Sequence, residues 1–220
     1  MPVRNRLAEM HPEITAWRHD LHENPELLYD LPRTSKIVVD KLTSFGCDEV
    51  VPGIRRSGVV GVIHGRKRDS GKVIGLRADM DALPIHEITG AAYASKEAGK
   101  MHACGHDGHT SILLGAAKYL AETRNFDGSV ALIFQPAEEG GAGGKRMVEE
   151  GALDGSRIGP KVEEIYALHG WPELPLGTVA TRRGAVMAAS DRFEIHVHGR
   201  GSHAAWPHRS ADPIVCASAI

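Results

Sequence analysis

The chain has 220 residues, 26 basic against 28 acidic, with 42% hydrophobic and 25% charged positions. The near-cancelled charge argues against a nucleic-acid footprint or a polybasic membrane patch, both of which need clustered cation excess, and the apolar content argues against a disordered chain. Apolar runs such as Val130 to Phe134 are too short to span a bilayer, and the charged start, Met1 to Trp17, has no apolar signal core.

Leu7, Met10, Ile14, Trp17 and Leu21 recur at steps of three and four, which predicts a first helix. A second helix is expected from Arg33-Thr-Ser35 through Ile37, Val38, Leu42 and Phe45, closed by Gly46. Two strands are expected at Gly58 to His64 and Lys72 to Leu76, separated by a polar turn. Thr110 is positioned to cap a helix carrying Ile112, Leu113, Ala116, Ala117 and Leu120. Val130 to Phe134 reads as a buried strand, Lys145 to Glu150 as a short helix, and Ile165 to Leu168 as a further strand. Past Ala185 the texture changes: Phe193, Ile195 and Val197 alternate like a half-buried strand, and a helix is expected from Ala211. The predicted fold is α/β over residues 1–185, followed at 186–220 by the opening of a second domain.

Four expected strand ends carry ligand-type residues, and such ends are where α/β sheets build sites. They are Arg77-Ala-Asp-Met-Asp81, His102-Ala-Cys-Gly-His-Asp-Gly-His109 just before a helix, Gln135-Pro-Ala-Glu-Glu-Gly140 and His169-Gly-Trp-Pro172. There are 13 histidines in all, and histidine is the commonest metal ligand. Thiol, imidazole and carboxylate together suit zinc, manganese, cobalt or nickel. Cys104 and His106, two apart in an extended loop, point their donors the same way. Glu138 and Glu139 are adjacent, so one can bind metal while the other stays free as a general base. Cys47, Cys104 and Cys216 form no disulfide framework, which favours a reducing, cytoplasmic setting.

These motifs, with Gly201-Ser-His-Ala-Ala-Trp-Pro-His208, resemble in kind and order those of the metal-dependent amidohydrolases of the aminoacylase/carboxypeptidase family. The branch they look like contains hippurate hydrolases, N-acyl-amino-acid amidohydrolases and plant auxin-conjugate hydrolases. The resemblance implies a mixed-sheet catalytic domain with helices on both faces, followed by an α+β lid that also dimerises. It implies two divalent metal ions, with Cys104, His106, Glu139 and His169 as ligands. It further implies Glu138 as general base, Asp81 as an acidic support of the metal site, and His203 as a lid histidine that steadies the oxyanion of a partner subunit. The expected reaction is hydrolysis of an N-acyl amino acid or dipeptide-like amide by metal-activated water, in a homodimer or higher homo-oligomer. Chains of this family run on to complete the lid and supply a final histidine ligand, so these residues read as an N-terminal portion. Two rivals stand beside this reading: a cysteine hydrolase with Cys104 as nucleophile and His106 or His109 as base, and an inactive metal-binding or dimerisation remnant.

Overall fold

A computed structural model describes residues 2–189, 191 and 193–220, with side chains from Asn5 onward. It divides into two units, Met1–Pro172 and Glu173–Ile220. This boundary falls before the change of sequence texture at Ala185.

In the first unit, helix α1 (Pro2–Glu23) buries Met10, Trp17 and Leu21, the face its periodicity predicts. Helix α2 (Pro32–Ser44) starts with proline at its first turn, where the missing N–H has no intrahelical partner to lose. Its N-terminus is satisfied from a distance: the Glu26 carboxylate accepts the N–H groups of Arg33 and Thr34 at 3.1 and 2.8 Å. Strand β1 (Glu49–Ile54) was not legible in sequence because Pro52 and Gly53 break its pattern. It survives as an edge strand, where proline removes no interior ladder bond, and its register shifts between Pro52 and Ile54.

Strands β2 (Gly58–His64), β3 (Val73–Asp79), β4 (Ser129–Gln135) and β5 (Glu164–Ala167) complete a sheet of order β1-β2-β4-β3-β5. β1 and β4 run antiparallel to β2, while β4 and β5 run parallel to β3. Alternation splits the sheet's two faces. Val59, Ile63, Val130, Leu132 and Phe134 pack with α1, α2 and helix α3 (His106–Thr123), whereas Val60, Val62 and Ile133 pack with Met147 of helix α4 (Gly143–Glu149). Helices therefore cover both faces, as expected for the fold class.

Helix α3 begins at His106, four residues before the expected Thr110 cap. Gly105 occupies the left-handed region at φ +86°, which turns the chain into the helix without a Cβ penalty. The Thr110 hydroxyl instead donates to the Asp79 carbonyl at 2.8 Å, pinning α3 to the end of β3.

The second unit carries a 3-10 turn at Pro207–Arg209 and helix α5 (Pro213–Ala217), whose Asp212 cap accepts the Ile214 N–H at 2.8 Å. No strand is formed over Phe193, Ile195 and Val197 among the described residues, where one was expected. Phe193 is 83% and Ile195 55% exposed, and the isolated bridge among this unit's described residues joins Arg200 to Ala211 instead. An alternating segment becomes a strand only when a neighbour accepts its ladder bonds. No helix among the described residues is long and apolar enough to cross a membrane.

Candidate metal centre

Three parallel strands, β3, β4 and β5, end at the same edge of the sheet, and α3 starts there. That topology gathers residues 79–81, 104–109, 138–139 and 169 from segments far apart in sequence. Donor atoms of Cys104, His106 and Glu139 lie within 4.8 Å of one another, and so do those of Asp79, His106, His109 and His169. Cys104 Sγ is 3.4 Å from His169 Nε2, so all four expected ligands share one neighbourhood.

His106 is fully buried. Its Nδ1 donates to the Asp81 carbonyl at 2.7 Å, and its Nε2 has no hydrogen-bond partner among the described residues. That nitrogen faces Asp79 Oδ2 at 3.5 Å and Glu139 Oε1 at 3.9 Å. A buried, unpaired imidazole nitrogen beside two carboxylates fits a bound cation, which would supply the missing partner and neutralise the acidic surroundings. The mixed sulfur, nitrogen and oxygen donors suit a borderline-soft divalent ion.

The adjacent glutamates face different surroundings. Ala137 adopts φ +52°, a left-handed conformation uncommon for a residue with a Cβ, and turns the chain out of β4. The buried Asp81 carboxylate accepts the N–H groups of Glu138 and Glu139 at 2.9 and 3.1 Å. Glu139 is half-buried within the cluster, whereas Glu138 is exposed. Asp81 thus holds the backbone of both glutamates through its side chain and the His106 ring through its carbonyl.

Burial raises the Asp81 carboxyl against the pull of those two N–H bonds. Burial also raises Glu139, and the neighbouring Glu138 charge adds to it. The Cys104 thiol is pushed up to about 12, by burial first and then by the Glu139 charge. Such a thiol is the opposite of an activated nucleophile, whose pKa must be depressed. Asp79 behaves differently: burial raises it, but the His109 hydrogen bond and the Arg77 charge prevail and hold it at about 2.

Asp79 and His109 also belong to the centre: Asp79 had no expected role, and His109 was expected only as a possible base of the rival thiol route. His109 Nδ1 lies 2.7 Å from Asp79 Oδ1, and Arg77 bridges Asp79 Oδ2 at 2.8 Å to Gln135 Oε1 at 2.9 Å. The available signals were the period-two spacing of Asp79 and Asp81 and the one-turn spacing of His106 and His109. A second buried layer ties α1 to the start of α3. His22 Nδ1 and Arg18 Nε meet Asp107 Oδ2 at 2.8 and 3.1 Å, and His22 Nε2 lies 3.2 Å from Glu87. His102, beside this layer, has neither ring nitrogen partnered among the described residues, and burial foremost lowers it to about 4. His203 belongs to the second unit, where it is exposed and its Nδ1 accepts the Ala205 N–H at 3.2 Å.

A mixed sheet with Cys, His and carboxylate donors at its parallel strand ends defines a metallohydrolase-like catalytic fold. The chain belongs to the peptidase family M20/M25/M40, whose model matches residues 75–219. It is 47% identical over 217 residues to a hippurate hydrolase of Campylobacter jejuni, covering 97% of this chain and 54% of that one. It is 46% identical over 225 residues to IAA-amino acid hydrolase ILR1-like 2 of Arabidopsis thaliana, covering 99% of this chain and 49% of that protein. A crystal structure of a Bacillus subtilis protein, described as a dinuclear metal binding peptidase of the M20 family, superposes with a TM-score of 0.73 at 40% identity. That match covers 80% of this chain and 48% of the other. The chain spans about half the length of the curated relatives it matches. The family resemblance carried by the sequence motifs is borne out.

Proposed function

We propose that this chain is the N-terminal part of a metal-dependent amidohydrolase that cleaves N-acyl amino acids or dipeptide-like conjugates. The observation that carries the reading is the buried His106 Nε2, without a hydrogen-bond partner among the described residues and set among the Cys104, Glu139 and Asp79 donors. The hippurate hydrolase and IAA-amino acid hydrolase relatives, both named for conjugates of an acyl group with an amino acid, support the substrate class.

In this reading Cys104, His106, Glu139 and His169 hold two divalent ions of zinc, manganese, cobalt or nickel type. Bound ions would polarise the amide carbonyl and lower the pKa of a water. Asp81 keeps the His106 proton on Nδ1 by accepting it on the main chain, and so keeps Nε2 available as a donor. Glu138 is the general base: it is exposed beside a half-buried neighbour, where it can reach a water and later return the proton to the leaving amine. Asp81 holds its backbone and that of Glu139 in one rigid turn. Residues 1–185 supply the catalytic domain, and 186–220 open a lid and dimerisation domain in which His203 steadies the oxyanion of a partner subunit. The full-length protein works in the cytoplasm as a homodimer or higher homo-oligomer, in keeping with three free cysteines.

The deciding experiment is metal analysis of the full-length protein together with hydrolysis of a small panel of N-acyl amino acids before and after chelation. Two equivalents of divalent metal and chelator-sensitive hydrolysis are expected. Hydrolysis that persists after complete metal removal would refute the reading and favour the thiol route through Cys104.

A further inference from the structure

The strand that leads to His169 is weakly held. β5 has only four residues, pairs at the sheet edge with β3 alone among the described strands, and is exposed along its length. Residue 170, next to the ligand-type His169, is exposed as well. A side chain on such a segment is poorly fixed unless something ties the loop to the interior. The tie is His109, which is 7% exposed on the first turn of α3.

The Gly170 N–H donates to His109 Nε2 at 2.9 Å, so that nitrogen is the acceptor and bears no proton. The ring proton is therefore on Nδ1, where Asp79 Oδ1 accepts it at 2.7 Å. Gly170 has a second job in the same loop, because its carbonyl accepts from His169 Nδ1 at 2.7 Å. That bond turns His169 Nε2 toward Cys104 Sγ, 3.4 Å away. The result is a relay of fixed orientation running Gln135–Arg77–Asp79–His109–Gly170–His169. It links the ends of β4, β3 and β5.

We infer that His109, oriented by Asp79, is a positioning residue that docks the Gly170 peptide and thereby aims His169 at the metal centre. The relevance to metal binding rests on the function proposed above, while the docking itself does not. His109 serves here through its two hydrogen bonds, with neither nitrogen left over for an ion.

The test uses the full-length protein, unsubstituted and as His109→Phe and His109→Gln. In metal-free unsubstituted protein, nitrogen NMR of the imidazole should show the neutral Nδ1–H form of His109. An Nε2–H form would overturn the inference regardless of how any variant folds. His109→Phe keeps an aromatic ring but removes both bonds. Exchange of the Gly170 amide should then rise by about tenfold or more, with exchange in the β4 and α3 interiors unchanged. Cobalt binding should weaken by about 10- to 100-fold, the usual consequence of losing a group that orients a ligand. His109→Gln can donate to Asp79 and accept from Gly170 through one carboxamide, so it should recover most of both properties. Unchanged Gly170 exchange in His109→Phe, or equal losses in both variants, would overturn the role. If unsubstituted protein binds no cobalt, the metal reading fails, and the exchange data still decide whether His109 docks the loop.

Discussion

His106 and Asp81 are joined by a hydrogen bond from the ring Nδ1 to the main-chain carbonyl, 2.7 Å long, and that bond places the ring proton on Nδ1 and leaves Nε2 without one. Because the acceptor is backbone, the preference survives loss of the Asp81 side chain. Asp81→Asn should therefore leave the His106 tautomer unchanged in the metal-free full-length protein. Its carboxamide would present an N–H toward one of the two glutamate amides it now accepts, at 2.9 and 3.1 Å, and so disturb the Glu138–Glu139 turn. The expected outcome is a drop in kcat with His106 nitrogen shifts intact, read by steady-state kinetics and imidazole NMR.

Glu138→Gln removes the proposed base and keeps its shape. Loss of a positioned acid–base group lowers turnover by about 10²–10⁴-fold. Metal content should stay at the unsubstituted level, since Glu139 is the glutamate in the donor cluster. Activity near the original level with metal retained would remove Glu138 from the mechanism.

Metal uptake should release a proton from Cys104. Without a cation the thiol is pushed up to about 12, chiefly by burial, so it is protonated at neutral pH and must ionise to bind. Affinity should consequently rise by about tenfold per pH unit from this group alone between pH ~6 and ~8. Calorimetry in buffers of different ionisation enthalpy measures the proton directly. Cys104→Ala should abolish that release, and an unaltered release would strip Cys104 of its place as a ligand.

Asp79 makes the fold acid-sensitive. Its folded value of about 2 is depressed below the ordinary carboxylate range, with burial opposing and the His109 bond and Arg77 charge prevailing. Stabilisation by the ionised group is thus complete above an unfolded value of about 3.9 and is lost as pH falls through the folded one. Denaturant melts of metal-free Asp79→Asn and unsubstituted protein should differ by on the order of 2 kcal/mol more at pH ~6 than at pH ~2. A constant difference over that range would mean that Asp79 is not held ionised by its partners.

The sheet's interior should respond as close-packed volume does. Leu132 is 0% exposed at the centre of β4, and its replacement by alanine should destabilise by about 2–5 kcal/mol. Ile88, 90% exposed, should change stability by less than about 0.5 kcal/mol on the same substitution. Thermal or urea melts distinguish the two.

Much of this was legible in the chain because periodicity and local chemistry are properties of neighbours. The apolar faces of α1 and α3, the strands β2 and β4, and the ligand-type residues at Cys104, His106, Glu139 and His169 all announce themselves locally. Strand β1 did not, because Pro52-Gly53 is tolerated only by virtue of an edge position that sheet order assigns. Among the described residues, Phe193 to Val197 carry no strand, since alternation states only a preference for one.

The amino-acid sequence by itself determined which chemical groups the protein carries, in what order, and which segments precede each of them. Tertiary structure decided which of those groups meet. Parallel pairing of β3, β4 and β5 sends their C-terminal ends to one edge, and so brings residue 79 beside residues 106, 109 and 169, and residue 139 beside residue 106. It also decided that Asp79 and His109, unremarkable in their motifs, bond to each other and to Gly170. Hydrogen bonds between residues 30 or 61 positions apart depend on how elements pack, and no local pattern encodes that distance.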